Sequence, residues 1–458
     1  MVAHGGEARA AAAGALRALI TQLPFPSTQD PDPDLAAYYA DYEARYRAYL
    51  PEFFIPEGRL WEMPLWVAHL TAALDRAGVD SAFCDLSEEP ADAAASAERI
   101  LESTRPGDLV LLSPLAQNFA LALQVSERVG KAGRRTLLGG NMATLAPRGS
   151  ADHIHRGRVE PQDVRRLVDL ATGGGGTTAA PRTRGVSERE ISWPPSYRHL
   201  DGYSGSVPLL RINASHGCLY TCSFCGDAWS AQLTLVTREA LAAKVDELAE
   251  RFPDTRLVYI GDKTFGQSKK AVTNLLAVFA DRPGYRFVVQ THVLQTRDWV
   301  IKAMSELGVV VVELGFESAD TQMLKRLGKL SRGLEHYSER LRALDAAGMR
   351  VVLNVMGGLP EETEESHAAT MEWLAENADV VWLCNLYNFV PYPLTPDFPR
   401  LRERIFEWNF AAWREDAPPV FFPYHLTPER SWTLFKEKVR AVHELVARDA
   451  EQQTVGAR

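Results

Sequence analysis

The chain has 458 residues and a mass of 50.8 kDa, room for two or three domains with well-buried cores. Apolar residues make up 46%, charged residues 24% and aromatic residues 9%, proportions that exclude disordered, collagenous and coiled-coil classes. Lys and Arg total 50 against 59 Asp and Glu, and a net charge of -9 repels phosphate backbones and anionic lipid, so nucleic acid is not expected as the main partner.

The longest strongly apolar stretch, Leu307 to Phe316, is far short of the roughly 20 residues a membrane-spanning helix needs. The N-terminal Ala run is broken by Glu7 and Arg9 and bounded by Arg17, without the basic-then-apolar order of a secretion signal. A cytoplasmic protein is therefore expected. Five cysteines are too few for a disulfide framework and point to metal or catalytic roles.

In chain order, strands are predicted at Leu16 to Leu23, Ala82 to Leu86, Asp108 to Leu112, Thr136 to Leu138 and His153 to Arg156. Helices are predicted at Leu65 to Ala77, Ala91 to Ser103, Phe119 to Lys131 and Pro161 to Leu170. This βα alternation implies an α/β fold with a doubly wound, mostly parallel sheet. Ser27 to Glu62 is rich in Tyr, Asp and Pro and longer than a usual βα connection, which reads as a lid, a substrate-facing insertion or a packing decoration. Thr172 to Ser192, with four glycines from Gly173 to Gly176, has the composition of a linker.

The alternation resumes with strands at Leu209 to Ala214, Leu257 to Ile260, Arg286 to Gln290, Val309 to Leu314, Val351 to Val355 and Val380 to Leu386. Amphipathic helices such as Arg238 to Phe252 and Glu335 to Ala347 separate them, as in a parallel barrel or part of one. From about Arg400 the chain reads as a helical cap interrupted by Pro418, Pro419 and Pro423. The expected segmentation is 1-171 for the first domain, 172-205 for the linker, 206-400 for the second domain and 401-458 for the cap.

Directly after the first strand of the second domain come Cys218, Cys222 and Cys225, spaced C-x3-C-x2-C. Three thiolates on one short loop can each ligate one iron of a cubane cluster, leaving the fourth iron open to a substrate or cofactor. The alternatives, chance thiols or a zinc site recruiting His216, fit less well, because zinc sites favour paired C-x2-C elements.

On these residues the second domain resembles the radical S-adenosylmethionine (radical SAM) superfamily, whose cysteine motif follows the first strand of a partial (β/α)6 barrel, with an aromatic, here Phe224, before the last Cys. The resemblance implies a 4Fe-4S cluster on Cys218, Cys222 and Cys225, S-adenosyl-L-methionine on its open iron, and reductive cleavage to a 5'-deoxyadenosyl radical. It further implies Asp262 near the methionyl amine and Glu317 and Ser318, in Gly315-Phe316-Glu317-Ser318, at the ribose and methionyl part. Gly357 and Gly358 would approach the adenine, and Tyr392 lies in the turn after the sixth strand. Among polar residues at alternating strand positions, Arg211, Asn213, Gln290, His292 and Asn354 would line a substrate pocket if they face inward.

The first domain resembles the Rossmann-type cobalamin-binding domain that precedes one branch of this superfamily, through Gly139-Gly140-Asn141-Met142-Ala143-Thr144 and Asp152 to Gly157. It departs from that pattern: no Pro-His follows the glycines, Arg158 and Val159 interrupt the acidic turn, and bulky Trp61, Met63 and Trp66 stand where the first helix is usually rich in Gly and Pro. These departures favour a domain without cobalamin. The favoured function is then radical dehydration of a hydroxylated natural-product intermediate, an aminosugar of the aminoglycoside antibiotic type. The alternative is a cobalamin-dependent radical SAM C-methyltransferase of secondary metabolism, and a remote one is tRNA modification. The expected partners are a small-molecule substrate and a one-electron reductase of flavodoxin or ferredoxin type, with no membrane involved.

Overall fold

A computed structural model describes residues 16–26, 32–51, 65–157, 159, 163–180, 184–200, 209–226, 231–329 and 332–456. The chain divides into two compact units, Met1–Phe25 with His69–Ala180, and Pro26–Ala68 with Pro181–Arg458. Trp61 and Met63 lie outside the described residues. Among the described residues no helix is long and apolar enough to cross a membrane.

The chain opens on β1 (Arg17–Gln22) and then leaves its unit for helix α1 (Pro33–Tyr49), which clusters with the second unit although the sequence reading places residues 1-171 together. It returns through α2 (Leu65–Arg76) to β2 (Asp80–Asp85), α3 (Ala93–Glu102), β3 (Leu109–Leu112), α4 (Phe119–Lys131), β4 (Arg135–Leu138), β5 (His153–Arg156), α5 (Val164–Gly173) and β6 (Gly176–Ala179). The six parallel strands lie in the order β2-β1-β3-β4-β5-β6, a doubly wound sheet whose connections reverse direction between β1 and β3. β3 is buried along its whole length, and α3 starts at Asp92, whose carboxylate accepts from the Ala94 and Ala95 N–H groups. β6 falls in the glycine-rich stretch read as a linker. As an edge strand it needs only backbone pairing with β5 and stays exposed, so its composition carries no signal of it.

The second unit holds β7 (Gly185–Val186), β8 (Leu210–Ile212), β9 (Ser215–Gly217), β10 (Gln232–Leu235), α6 (Arg238–Arg251), β11 (Leu257–Ile260), α7 (Lys269–Phe279), β12 (Arg286–His292) and α8 (Asp298–Leu307). It continues with β13 (Val309–Glu317), α9 (Thr321–Arg326), α10 (Leu334–Ala346), β14 (Arg350–Gly357), α11 (Glu364–Glu376), β15 (Leu383–Asn388), α12 (Phe398–Leu401) and α13 (Pro428–Gly456). Six parallel strands run β8-β11-β12-β13-β14-β15, an open barrel wall with β8 and β15 as its edges. β12, β13 and β14 extend past the predicted ends to His292, Glu317 and Gly357, so the polar motifs are themselves strand ends.

The Tyr-rich segment is no free lid. The Tyr38 hydroxyl donates to the Cys384 carbonyl (2.5 Å) and accepts from the Cys384 N–H (3.1 Å). The Tyr39 hydroxyl treats Leu386 likewise, at 3.0 and 3.2 Å. Cys384 and Leu386 alternate along β15, so two phenol groups supply the donors and acceptors that a seventh strand would bring, and satisfy a backbone edge that would otherwise be buried unpaired. Tyr38 and Tyr46 are fully buried, which makes α1 a packed wall element.

Candidate active site

β9, which precedes the cysteine segment, and β10 pair antiparallel and form its stem. Asp262, buried just past β11, accepts from the N–H groups of Ala214 (2.8 Å) and Ser215 (3.1 Å) and from the Ser215 hydroxyl (2.5 Å). Burial pushes its carboxyl up to about 6, against the opposing pull of those hydrogen bonds. The sequence reading sets Asp262 beside a methionyl amine; in the structure its two oxygens accept from Ala214 and Ser215 at the loop stem.

The loop is tied down along its length. The Leu219 N–H donates to Gln267 (2.7 Å), and Cys218 Sγ lies 3.5 Å from the Thr264 hydroxyl. The Ser223 N–H donates to the Leu327 carbonyl (2.7 Å), the Ser223 hydroxyl to Asp397 (2.6 Å), and the Asp397 N–H to the Ser223 carbonyl (3.0 Å). Gly328 has φ +69°, and a Cβ there would stand 2.8 Å from the Thr221 carbonyl oxygen, so only glycine lets the segment after α9 lie against the loop. Sequence reasoning misses Gln267 and Asp397, because the loop residues they hold, Leu219 and Ser223, are distant in the chain.

Cys222 is buried, while Cys218 and Cys225 are half-buried beside half-buried Phe224. Burial pushes the Cys222 thiol up to about 11, partly countered by the Lys329 charge, so ligation there must release a proton. Among the described residues no three His, Cys, Asp or Glu side chains converge as a single metal ion requires. A multi-iron cluster takes one thiolate per iron and needs no such convergence, so three thiols on a pinned loop fit it better than they fit zinc.

Glu317 ends β13 with φ +67°, one of two non-glycine residues at positive φ among those described. Such strain in a long acidic side chain marks a site worth attention. Lys329 donates to its Oε1 at 2.6 Å with both side chains buried. Burial pulls the Lys329 ammonium down, but Glu317, Tyr337 and Cys222 outweigh it and the net shift is upward. Gly315 makes room for this pair: a Cβ there would lie 2.7 Å from Lys329 Nζ. Among the described residues Glu317 Oε2 is buried without a hydrogen-bond partner.

A second orphan stands nearby. His292 is buried, and its ring stacks on Tyr220 of the cysteine loop at 4.0 Å between centroids. Its Nδ1 accepts from the Leu294 N–H at 3.1 Å, which places the ring proton on Nε2, and Nε2 has no partner among the described residues. Burial, helped by Lys329, pushes the imidazole down to about 2, so it stays a neutral donor. An unpaired acceptor and an unpaired donor, both buried beside the cysteine loop, fit a ligand bearing hydroxyl and carboxylate groups.

Gln290, His292 and Asn354 share one face of the sheet with Arg211, Tyr259 and Glu313, and Asn213 follows β8 beside Gly261. There Tyr259 donates to Glu313 at 2.6 Å, Arg211 lies 4.4 Å over the Tyr259 ring, and Asn385 donates to Asn354 at 2.9 Å. Tyr42 of α1 donates to Asn385 at 2.9 Å, so α1 reaches the same polar face. Ser318 is buried, paired with Thr370 (3.1 Å) and accepting from the Asp320 N–H (3.1 Å); it caps the turn into α9 and offers no free hydroxyl.

Gly357 ends β14 against Phe435 of α13, and Gly358 follows it. The Gly358 N–H donates to Glu362 (2.7 Å), and the fully buried Lys438 donates to Glu362 (3.0 Å) and the Met356 carbonyl (2.7 Å). Tyr392 reaches the Trp413 carbonyl at 3.4 Å. Sequence reasoning missed Lys438 and Glu362, which meet only because α13 folds back onto β14.

Cysteines that follow the first strand of an open parallel barrel, on a chain that also carries a doubly wound sheet, define the class. Residues 212–374 match the Radical SAM superfamily, and the chain carries a radical SAM domain behind a domain with the cobalamin-binding type of fold. Such a domain implies a 4Fe-4S cluster and S-adenosylmethionine. The bacteriochlorophyllide d C-12(1)-methyltransferase of Chlorobaculum tepidum is 21% identical over 319 residues, covering 66% of this chain and 68% of that protein. The radical S-adenosylmethionine methyltransferase TsrM of Kitasatospora setae, solved with tryptophan substrate and aza-SAM, matches with a TM-score of 0.60 at 15% identity, over 85% of this chain and 76% of that one. OxsB, a cobalamin-dependent S-adenosylmethionine radical enzyme solved with aqua-cobalamin and S-adenosylmethionine, matches with a TM-score of 0.58 at 14% identity, over 93% of this chain and 61% of that one. Identities this low carry the fold and leave the reaction to argument.

Proposed function

We propose that the protein is a cobalamin-dependent radical SAM methyltransferase acting on a small molecule. Two of the three similar proteins are named methyltransferases, one is named cobalamin-dependent, and none of the three is named a dehydratase. They support the methyltransferase alternative over aminosugar dehydration.

The observation that carries the reading is the reversal of connections between β1 and β3, because ligands of doubly wound sheets bind outside the strand ends at such a point. Two large apolar side chains, Phe25 after β1 and Leu115 after β3, are exposed there at 42% and 55%. Asn118 ties the two loops together, accepting from the Leu115 N–H and donating to the Leu23 carbonyl. Small residues Ser113, Gly139, Gly140 and Gly157 follow β3, β4 and β5, with a backbone bridge between Gly140 and Gly157. Exposed apolar side chains beside small residues suit a flat, largely apolar macrocycle.

In the barrel, Cys218, Cys222 and Cys225 would hold the cluster, and Glu317 Oε2 and His292 Nε2 would receive hydroxyl or carboxylate groups of S-adenosylmethionine or substrate. When bound, the cluster would supply the electron that cleaves the sulfonium, and cobalamin would supply methyl transfer. Asp262, Ser223 and Gly328 hold the cysteine loop in place. The half-exposed side chains of Asn213, Gln290, Glu313 and Asn354 orient a polar substrate.

The test is anaerobic reconstitution with iron, sulfide and hydroxocobalamin, desalting and spectroscopy. About one retained corrin per chain, with transfer of a labelled methyl group, is the expected result. An iron-sulfur spectrum alone, with deoxyadenosine released and no methyl transferred, would overturn the reading and return it to radical dehydration.

A further inference from the structure

Ser223 stands between Cys222 and Cys225, and each of its polar groups is taken by a residue outside the cysteine loop. Its N–H donates to the Leu327 carbonyl (2.7 Å), its hydroxyl donates to Asp397 Oδ2 (2.6 Å), and its carbonyl accepts from the Asp397 N–H (3.0 Å). The Cys225 N–H closes the turn on the Cys222 carbonyl at 3.1 Å. Asp397 therefore grips one residue at two points, by main chain and by side chain.

Asp397 is itself fixed. It is 4% exposed and follows Pro396, with Pro399 two residues on, so the locked φ of both prolines stiffens its segment. Its carbonyl accepts from the Arg400 and Leu401 N–H groups, both at 3.1 Å, as the chain turns into α12. Its second oxygen, Oδ1, pairs with Arg400 (2.8 Å), Arg400 pairs with Glu361 (2.8 Å), and Glu361 pairs with Arg326. Arg326 precedes Leu327, the other residue that holds Ser223, so the ring closes on the loop. Two carboxylates and two guanidinium groups make this ring neutral. What it delivers to Ser223 is a fixed acceptor, with no net charge.

We propose that Asp397 is a positioning residue of the iron-sulfur site, holding the turn between Cys222 and Cys225 and keeping the Ser223 O–H from the thiolates on either side. The proposal rests on the cysteine loop holding an iron-sulfur cluster. A donor that bonds a cluster thiolate stabilises the reduced, more negative cluster and raises its potential. A cluster that must give an electron to a sulfonium has to stay strongly reducing, and a serine hydroxyl between two of its ligands works against that. Ser223 has one hydroxyl proton, and a carboxylate at 2.6 Å is the stronger claimant for it.

The experiment is a redox titration of the reconstituted full-length protein, poised with titanium(III) citrate and read by electron paramagnetic resonance, beside iron bound per chain. Asp397→Ala frees the Ser223 hydroxyl and should raise the equilibrium constant for cluster reduction about tenfold, the worth of one hydrogen bond. Adding Ser223→Ala removes that hydroxyl and should return the potential to the wild-type value. Asp397→Asn keeps an acceptor in place and should match the wild type in potential and in iron. An unchanged potential in Asp397→Ala, or a double variant shifted as far as Asp397→Ala, overturns the proposal. So does Asp397→Asn shifted as far as Asp397→Ala, which would assign the effect to charge. An Asp397→Ala protein without iron supports the positioning role if Asp397→Asn binds iron in full, and loss in both overturns it. Failure of the wild type to take up any cluster would instead refute the reading of the cysteine loop.

Discussion

Replacing Lys329 by Met probes the ion pair at the centre of the site. Its ammonium is 2.6 Å from Glu317, with side-chain exposures of 4% and 8%. With an effective dielectric of about 20, Coulomb attraction at this distance is roughly 6 kcal/mol. Desolvation of both ions offsets most of it, so the net worth of the pair is small, but removing one partner leaves the other buried and uncompensated. Lys329→Met alone should therefore destabilise the protein by about 3–5 kcal/mol, and Lys329→Met with Glu317→Gln by about 1 kcal/mol or less. The double-mutant cycle would be read from urea unfolding of the cluster-free protein at pH 7, by far-ultraviolet circular dichroism with matched m values. A single-variant loss under about 1 kcal/mol, or a double variant as costly as the two singles added, would refute the argument that this pair is closed to water.

Tyr38→Phe removes a hydroxyl that serves both the N–H and the carbonyl of Cys384, and should cost about 1–3 kcal/mol with faster amide exchange at Cys384; unchanged exchange would show that β15 does not depend on α1. Asp262, raised to about 6, binds more protons folded than unfolded between about pH 4 and pH 6. Its contribution to stability therefore falls as pH rises through that window and levels off above it. Asp262→Asn should gain on the wild type over the same window in urea titrations, and a pH-independent difference would contradict this assignment. Gly328→Ala forces a Cβ toward the Thr221 carbonyl at positive φ, so iron bound after reconstitution should drop by more than about half with the fold intact. Full iron loading would show that the cysteine loop tolerates displacement. Cys222→Ala should abolish both cluster absorbance and deoxyadenosine formation, and deoxyadenosine release from that variant would sink the cluster assignment.

Much of the molecule was legible in the residues alone. Local periodicity placed the principal strands and helices of both sheets, because a buried parallel strand and an amphipathic helix each write their burial into consecutive residues. The cysteine spacing pointed to a cluster because its ligands share one loop, and the alternation of Gln290, His292 and Asn354 put them on a common face because a strand has period two. Other features had no local signature. β6 forms from glycine and threonine because an edge strand asks only for backbone pairing, and α1 proves to be a wall because its phenols find an unpaired edge far away in the chain. The Glu317 Oε2 and His292 Nε2 atoms left unpaired among the described residues, the bonds of Asp262 to Ala214 and Ser215 and of Ser318 to Thr370, and the reach of Lys438 to Glu362 are facts of tertiary contact. A side chain's type states which bonds it can make; which of them it makes depends on what the fold brings within about 3 Å.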